Sequence, residues 1–109
     1  MKFVISRKND GVFQFLLKDT EDRPVLWSPR YPTKSQCREG IDLLRQQIVE
    51  DLSFDKWRTE SGRYVFHLKS DEGRLLAMSA PFISKSECSS YISKIMNMVG
   101  VATEEDLAF

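Results

Sequence analysis

The chain has 109 residues, with 16 Lys plus Arg against 16 Asp plus Glu, one His, two Cys and 41% hydrophobic residues. That length supports a single domain and excludes two independent ones, and the mixture of charge and apolar residues excludes disordered and collagen-like chains. Zero net charge, split as nine positive and eight negative residues in 1–52 and seven and eight in 53–109, argues against a dedicated nucleic-acid coat, which shows a basic excess.

Met1 to Asp10 holds only a short apolar run, Phe3-Val4-Ile5, before Arg7 and Lys8, too little for a signal-peptide core or a membrane span, so the cytoplasm is the expected compartment. A first strand is expected over Phe3–Arg7. Asn9-Asp10-Gly11 is turn chemistry, after which Phe13, Phe15 and Leu17 alternate with Gln14, Leu16 and Lys18, the period-two pattern of a strand with one face buried. A second turn at Asp19–Asp22 leads to a third strand, Val25–Ser28, and the short connections make the three an antiparallel meander. Thr33-Lys34-Ser35-Gln36 then fits a capping box, with Cys37, Ile41, Leu44 and Ile48 forming an apolar stripe along a helix of about 16 residues, or roughly 24 Å. Val49–Ser53 and Gly100–Phe109 could each add a short strand.

From residue 53 the pattern starts again at an offset of 51. Gly11-Val12-Phe13-Gln14-Phe15-Leu16-Leu17-Lys18 lies over Gly62-Arg63-Tyr64-Val65-Phe66-His67-Leu68-Lys69 without a gap, and about 13 identical pairs fall in this register. Among them are Phe3 with Phe54, Ser28 with Ser79, Cys37 with Cys88 and Ile41 with Ile92. The second unit therefore predicts strands over Phe54–Arg58, Tyr64–Lys69 and Leu75–Ser79. Its helix opens at Ser84-Lys85-Ser86-Glu87 and carries the stripe Cys88, Ile92, Ile95 and Val99. The expected fold is α+β, a single domain of two tandem β-β-β-α(-β) repeats, 1–52 and 53–109, forming one antiparallel sheet with two helices on one face.

The string Gly-x-aromatic-x-Phe-x-Leu-Lys, then Ser, then aromatic-x-(Ser/Thr)-Lys-x-x-Cys-x-x-x-Ile resembles the YegP-like family of small bacterial and archaeal proteins over nearly the whole chain, most closely at Tyr31–Ile41. The resemblance implies units of three strands, a helix and a short strand, two of which share one sheet with exchanged terminal strands. It carries over no catalytic residues. The chain departs from the family pattern at Glu21-Asp22 and Glu72-Gly73, where Asn-Gly is usual. It also departs at Tyr91, where Gly is usual, and at Leu16, where a polar residue is usual.

Candidate chemistry is sparse. His67, the only histidine, is expected at an outward strand position with no cluster of metal-ligating partners, so no metal site and no cofactor are expected. Cys37 and Cys88 open the two apolar stripes, across from Pro32 and Ile83 in a hydrophobic-staple arrangement, and are expected to be packed in the core; a thiol activated by a helix start is the competing reading. Two cysteines without a Cys-x-x-Cys pair fit a reducing compartment. Ser53-x-x-Lys56 matches a penicillin-binding pattern in a chain too small for that fold. Lys34-Ser35 and Lys85-Ser86 could hold a phosphate at a helix start, the plainer reading being a capped first turn.

The informative feature is the sheet face turned away from the helices. Alternation assigns it Val4, Leu16 and Leu26 from the first unit and Trp57, Val65, His67 and Leu75 from the second, an apolar set where a wet antiparallel face is normally polar. These residues are the expected contact surface of a small non-enzymatic protein-interaction module, binding a protein partner or a second copy. The counter-expectation is that a terminal segment covers them. The alternative function is single-stranded nucleic-acid binding, with Trp57, His67, Arg58 and Lys69 close together. A small hydrolase or redox enzyme would need a paired acid and base that the sequence does not offer.

Overall fold

The computed structural model describes residues 1–50 and 53–108, excluding the side chains of 48–50 and 53. In chain order the elements are β1 (Lys2–Arg7), β2 (Phe13–Lys18), β3 (Pro24–Trp27), α1 (Lys34–Glu50), β4 (Ser53–Arg58), β5 (Tyr64–Lys69), β6 (Leu75–Ser79), α2 (Lys85–Met98), a 3-10 turn (Val99–Val101) and β7 (Thr103–Asp106). The architecture is α+β, with one seven-stranded sheet in the order β4-β5-β6-β3-β2-β1-β7.

Both meanders are antiparallel, as short turns require, and they join through an antiparallel β3–β6 pair. The expectation of a wholly antiparallel sheet is corrected at one edge. β7 lies parallel to β1, pairing Lys2 with Thr103 through Ile5 with Asp106. β7 thus runs antiparallel to β6, the strand it follows through α2, so its parallel pairing with β1 comes from its place in the strand order and not from a β-α-β crossover. Within the other expected strand segment, Val49 and Glu50 are helical, Asp51 and Leu52 lie outside the described residues, and Ser53 opens β4.

Positions 51 apart take the same roles. Phe13 bridges Tyr31 and Tyr64 bridges Phe82. The Ser28 hydroxyl accepts the Phe15 N–H at 2.9 Å and donates to the Pro29 carbonyl at 2.6 Å; Ser79 does the same with Phe66 at 2.9 Å and Ala80 at 2.8 Å. In each case the hydroxyl completes a ladder that the backbone leaves one bond short. Register also shifts at the same place, between Leu17 and Lys18 and between Leu68 and Lys69.

The core lies between the sheet and both helices. Phe3, Phe15, Leu17, Phe66 and Leu68 from the sheet meet Cys37, Ile41 and Leu44 of α1 and Cys88, Tyr91, Ile92 and Ile95 of α2 in one buried cluster. Both helices are capped from the expected residue: Thr33 Oγ1 accepts the Gln36 N–H at 3.1 Å and Ser84 Oγ accepts the Glu87 N–H at 3.0 Å. Only this half of each capping box is seen among the described hydrogen bonds. Ile83 is exposed, so the staple expected opposite Cys88 does not form.

Candidate functional site: the helix-free sheet face

With both helices on one side, the sheet's other face carries no helix among the described residues. Pairing registers trace a row straight across it. Val4 faces Leu16, Leu16 faces Trp27, Trp27 faces Met78, Met78 faces His67, and His67 faces Asp55. On the outer side of β1 the row ends at Glu105. Neighbouring positions meet across strands at about 5 Å, so the side chains form a continuous strip. Trp57, opposite Val65, adds a second aromatic, and its ring meets the His67 ring edge-on with centroids 4.6 Å apart. Val4 is buried, Leu16, Trp27, Met78, Val65 and His67 are half-buried, and Trp57 is 42% exposed. Both tryptophans of the chain therefore stand on this face.

Each end of the row is closed by an ion pair. Lys2 Nζ lies 2.8 Å from Glu105 Oε2, and Lys69 Nζ lies 3.1 Å from Asp55 Oδ2. The Glu105 hydrogen bond raises the Lys2 pKa above its ordinary value. Lys18, beside the row, lies 3.5 Å from Asp22. The result is an apolar strip with neutralised rims.

Five of the seven residues expected here, Val4, Leu16, Trp57, Val65 and His67, are on the face. Leu26 is not: it pairs with Leu17, is fully buried and belongs to the helix-side core. The bulge is the reason. It places Val25 as an extra residue between the pairs Lys18–Pro24 and Leu17–Leu26, so Val25 and Leu26 both sink into the core and strict alternation fails. Leu76 and Ala77 repeat this in β6. Leu75 pairs with Lys69 beyond the bulge and lines a cleft with Tyr31, Gln36 and Glu39 near the start of α1, away from the row. Trp27 and Met78, the row's centre, were missed. Their equivalence at an offset of 51 was the available signal. The terminal segment expected to cover the face runs along the β1 edge instead, with Ala108 in the helix-side core.

The cluster expected for nucleic acid divides between faces. Trp57 and His67 meet, but Arg58 pairs with Tyr64 on the helix side, with its guanidinium 5.8 Å from that ring, and Lys69 is taken by Asp55. Both cysteines are buried and free; burial pushes the Cys37 thiol up to about 11 and raises Cys88 as well, the opposite of an activated thiol. Among the described residues no group of three or more His, Cys, Asp and Glu is placed to hold a metal, and no helix is long and apolar enough to cross a membrane.

No protein-family model matches the chain. It is similar to the UPF0339 protein YegP of Escherichia coli K12, 23% identical over 93 residues, covering 85% of this chain and 84% of that one. A UPF0339 protein of Acinetobacter baylyi is 24% identical over 105 residues, covering 96% and 95%. The solution NMR structure of a UPF0339 protein from Shewanella oneidensis superposes with a TM-score of 0.90 at 21% identity, covering 98% of this chain and 91% of that one. These likenesses support a YegP-like relationship, and the fold of the chain is the UPF0339 fold.

Proposed function

We propose that the chain is a protein-interaction module without catalysis of its own, built from two duplicated units, and that its contact surface is the helix-free sheet face. The observation that carries this reading is the unbroken row Val4–Leu16–Trp27–Met78–His67 with Trp57 and Val65 beside it. An antiparallel sheet facing only water would alternate to polar residues there. An apolar centre with a polar rim is the anatomy of a protein contact. Because Lys2–Glu105 and Lys69–Asp55 neutralise the two ends, the face repels no copy of itself, and a second copy is the occupant it fits.

Sedimentation velocity tests this together with the chain's own tryptophan emission, since Trp27 and Trp57 both report on the face. Dimer formation by about 100 µM is expected, with a blue shift of emission at the same concentrations. Leu16→Ser with Trp57→Ser is expected to give a monomer whose stability stays within about 1 kcal/mol of the parent per substitution. A parent that remains monomeric at about 1 mM with unmoved emission overturns the reading, as does loss of folding in the double variant.

A further inference from the structure

β1 and β4 occupy equivalent positions, 51 residues apart, at opposite sides of the sheet, yet only one of them is an edge. β1 is covered by the acidic strand β7, Thr103-Glu104-Glu105-Asp106, which adds in parallel and is continued by the Leu107 N–H donating to the Ile5 carbonyl at 2.9 Å. Cations hold each acidic residue of that strand. Asp106 Oδ2 lies 3.0 Å from Lys34 Nζ and 2.8 Å from an Arg38 nitrogen, Glu105 meets Lys2, and Glu104 lies 3.4 Å from Arg45. The Ala108 N–H and the Lys34 ammonium, both bonded to its carboxylate, keep the Asp106 pKa below its ordinary value.

Along β4 part of that framework recurs uncovered: of the four cations that hold β7, Lys34 alone has a cationic counterpart, while Lys2, Arg38 and Arg45 correspond to Ser53, Ser89 and Met96. No strand pairs with its outer side among the described residues. The cleft there is lined by Lys56, Trp57, Arg58, Tyr64, Lys85, Cys88 and Ser89. Lys85 is the counterpart of Lys34. Lys56 stands where the first half has Ile5, which pairs with Asp106 of β7 and is buried in the helix-side core, and Lys56 is exposed. Lys56, Arg58 and Lys85 have no carboxylate within 4.0 Å among the described residues, whereas Lys2, Lys34, Arg38 and Arg45 beside β7 are paired; Arg7, like its counterpart Arg58, lies over an aromatic ring instead. Three uncompensated positive charges thus line an unpaired strand edge whose counterpart holds an acidic strand.

We infer that the outer edge of β4 is a β-augmentation site for an extended acidic segment of a partner protein. That segment adds parallel to β4 and sets a carboxylate against Lys85 and Lys56 as Asp106 is set against Lys34. Backbone hydrogen bonds supply sequence-independent binding and the three cations select acidic over apolar strands, since a lysine on an open edge rejects neutral neighbours. The site adjoins the helix-free face and shares Trp57 with it, but it rests on the strand edge and its three cations and does not depend on that face's role.

The probe is a fluorescein-labelled peptide with the sequence of residues 102–108, followed by anisotropy and by amide hydrogen exchange across Ser53–Arg58. The acidic peptide is expected to bind and to slow exchange of outward β4 amides, with a version carrying Gln and Asn for Glu and Asp about tenfold weaker. Lys85→Glu and Lys56→Glu are each expected to weaken binding about tenfold, while Lys8→Glu, in the hairpin of the other half, leaves it unchanged. No binding at about 1 mM overturns the inference. So does binding without protection of β4, or tighter binding of a short oligonucleotide than of the acidic peptide, which would make the cleft a general polyanion site.

Discussion

At Asp19–Arg23 and at Ser70–Arg74 the chain builds the same turn twice and ties it to the rest of the molecule in two different ways. The backbone bonds match: Asp19 N to Arg23 O at 2.9 Å and Asp22 N to Asp19 O at 3.1 Å in one, Ser70 N to Arg74 O at 2.8 Å and Gly73 N to Ser70 O at 2.9 Å in the other. The side chains do not. The Asp19 carboxylate is buried and accepts the Glu21 and Arg23 N–H groups at 2.9 Å each, the Arg23 Nε–H at 3.2 Å and the Tyr91 hydroxyl at 2.9 Å. Among the described hydrogen bonds the Ser70 hydroxyl accepts the Arg74 N–H alone, at 3.1 Å.

A hydroxyl has exchanged places to match. Tyr31 and Gly40 in the first half correspond to Phe82 and Tyr91 in the second. Gly40 leaves room for the Tyr31 ring, whose hydroxyl faces Arg74, whereas Tyr91 stacks on Phe82 at 5.0 Å and sends its hydroxyl to Asp19 and Arg23. Each half thus reaches the other's turn, but only one link ends on a buried charge. A satisfied buried carboxylate is costly to lose because its partners are left unpaired, so matching backbones do not imply matching energetics.

Making the first turn resemble the second is the largest test. Asp19→Ser keeps an oxygen for the Arg23 N–H but strips Tyr91 and the Arg23 guanidinium of their acceptor, and is expected to cost about 2–3 kcal/mol by urea unfolding. Ser70→Asp offers a carboxylate to a turn where Arg74 and the Tyr31 hydroxyl already bond each other, and is expected to change stability by under about 0.5 kcal/mol. The pH dependence follows from Asp19 itself. Burial alone would raise its pKa, but the Arg23 N–H, the Tyr91 hydroxyl, the Glu21 N–H and the Arg23 guanidinium outweigh that and hold it below its ordinary value. With the folded value depressed, its contribution is present above the ordinary carboxylate pKa and is lost as pH falls through the folded value. Asp19→Ser should therefore flatten the acid limb of the stability profile; an unchanged limb would show that the carboxylate does not carry the link.

Gly40→Ala probes the other end of the exchange. A Cβ at position 40 would stand 2.5 Å from the Tyr31 hydroxyl oxygen and 2.8 Å from its ring carbon, so the stacked ring must shift, at an expected cost of about 1–3 kcal/mol. Adding Tyr31→Phe, the residue type found at 82, removes the shorter contact and should recover part of the loss. Additive costs would mean that the two positions do not share this space.

How much of this the sequence disclosed depends on how local each feature is. Strands, turns and caps rest on neighbouring residues, and β2, β5 and the two Ser and Thr caps stand where alternation and capping chemistry put them. What failed depended on contacts between distant segments. The bulges after Leu17 and Leu68 turned Leu26 inward and made Trp27 and Met78 the centre of the helix-free face, because an extra residue resets alternation and no local pattern marks its position. The parallel seating of β7 depends on where α2 delivers the chain. Arg58 fell on the helix side with Tyr64, so a cluster that looked compact in sequence is split by the pleat.

The smallest contrast lies within the same pair of turns. Asp22 has φ of +65° where Gly73 has +81°, a left-handed conformation that costs a side chain about 1 kcal/mol, though Asp tolerates it better than most. Gly73→Asp is accordingly expected to lose about 1 kcal/mol. Asp22→Gly relieves the same conformation but also removes a carboxylate 3.5 Å from Lys18 and 3.9 Å from Lys2. Those pairs are exposed and contribute little, and about 0.5 M salt screens most of what they do contribute. In that salt Asp22→Gly should gain about 0.5 kcal/mol, with the gain shrinking as salt is lowered. A loss of stability at high salt would mean that the Asp22 side chain supports its turn through contacts other than charge.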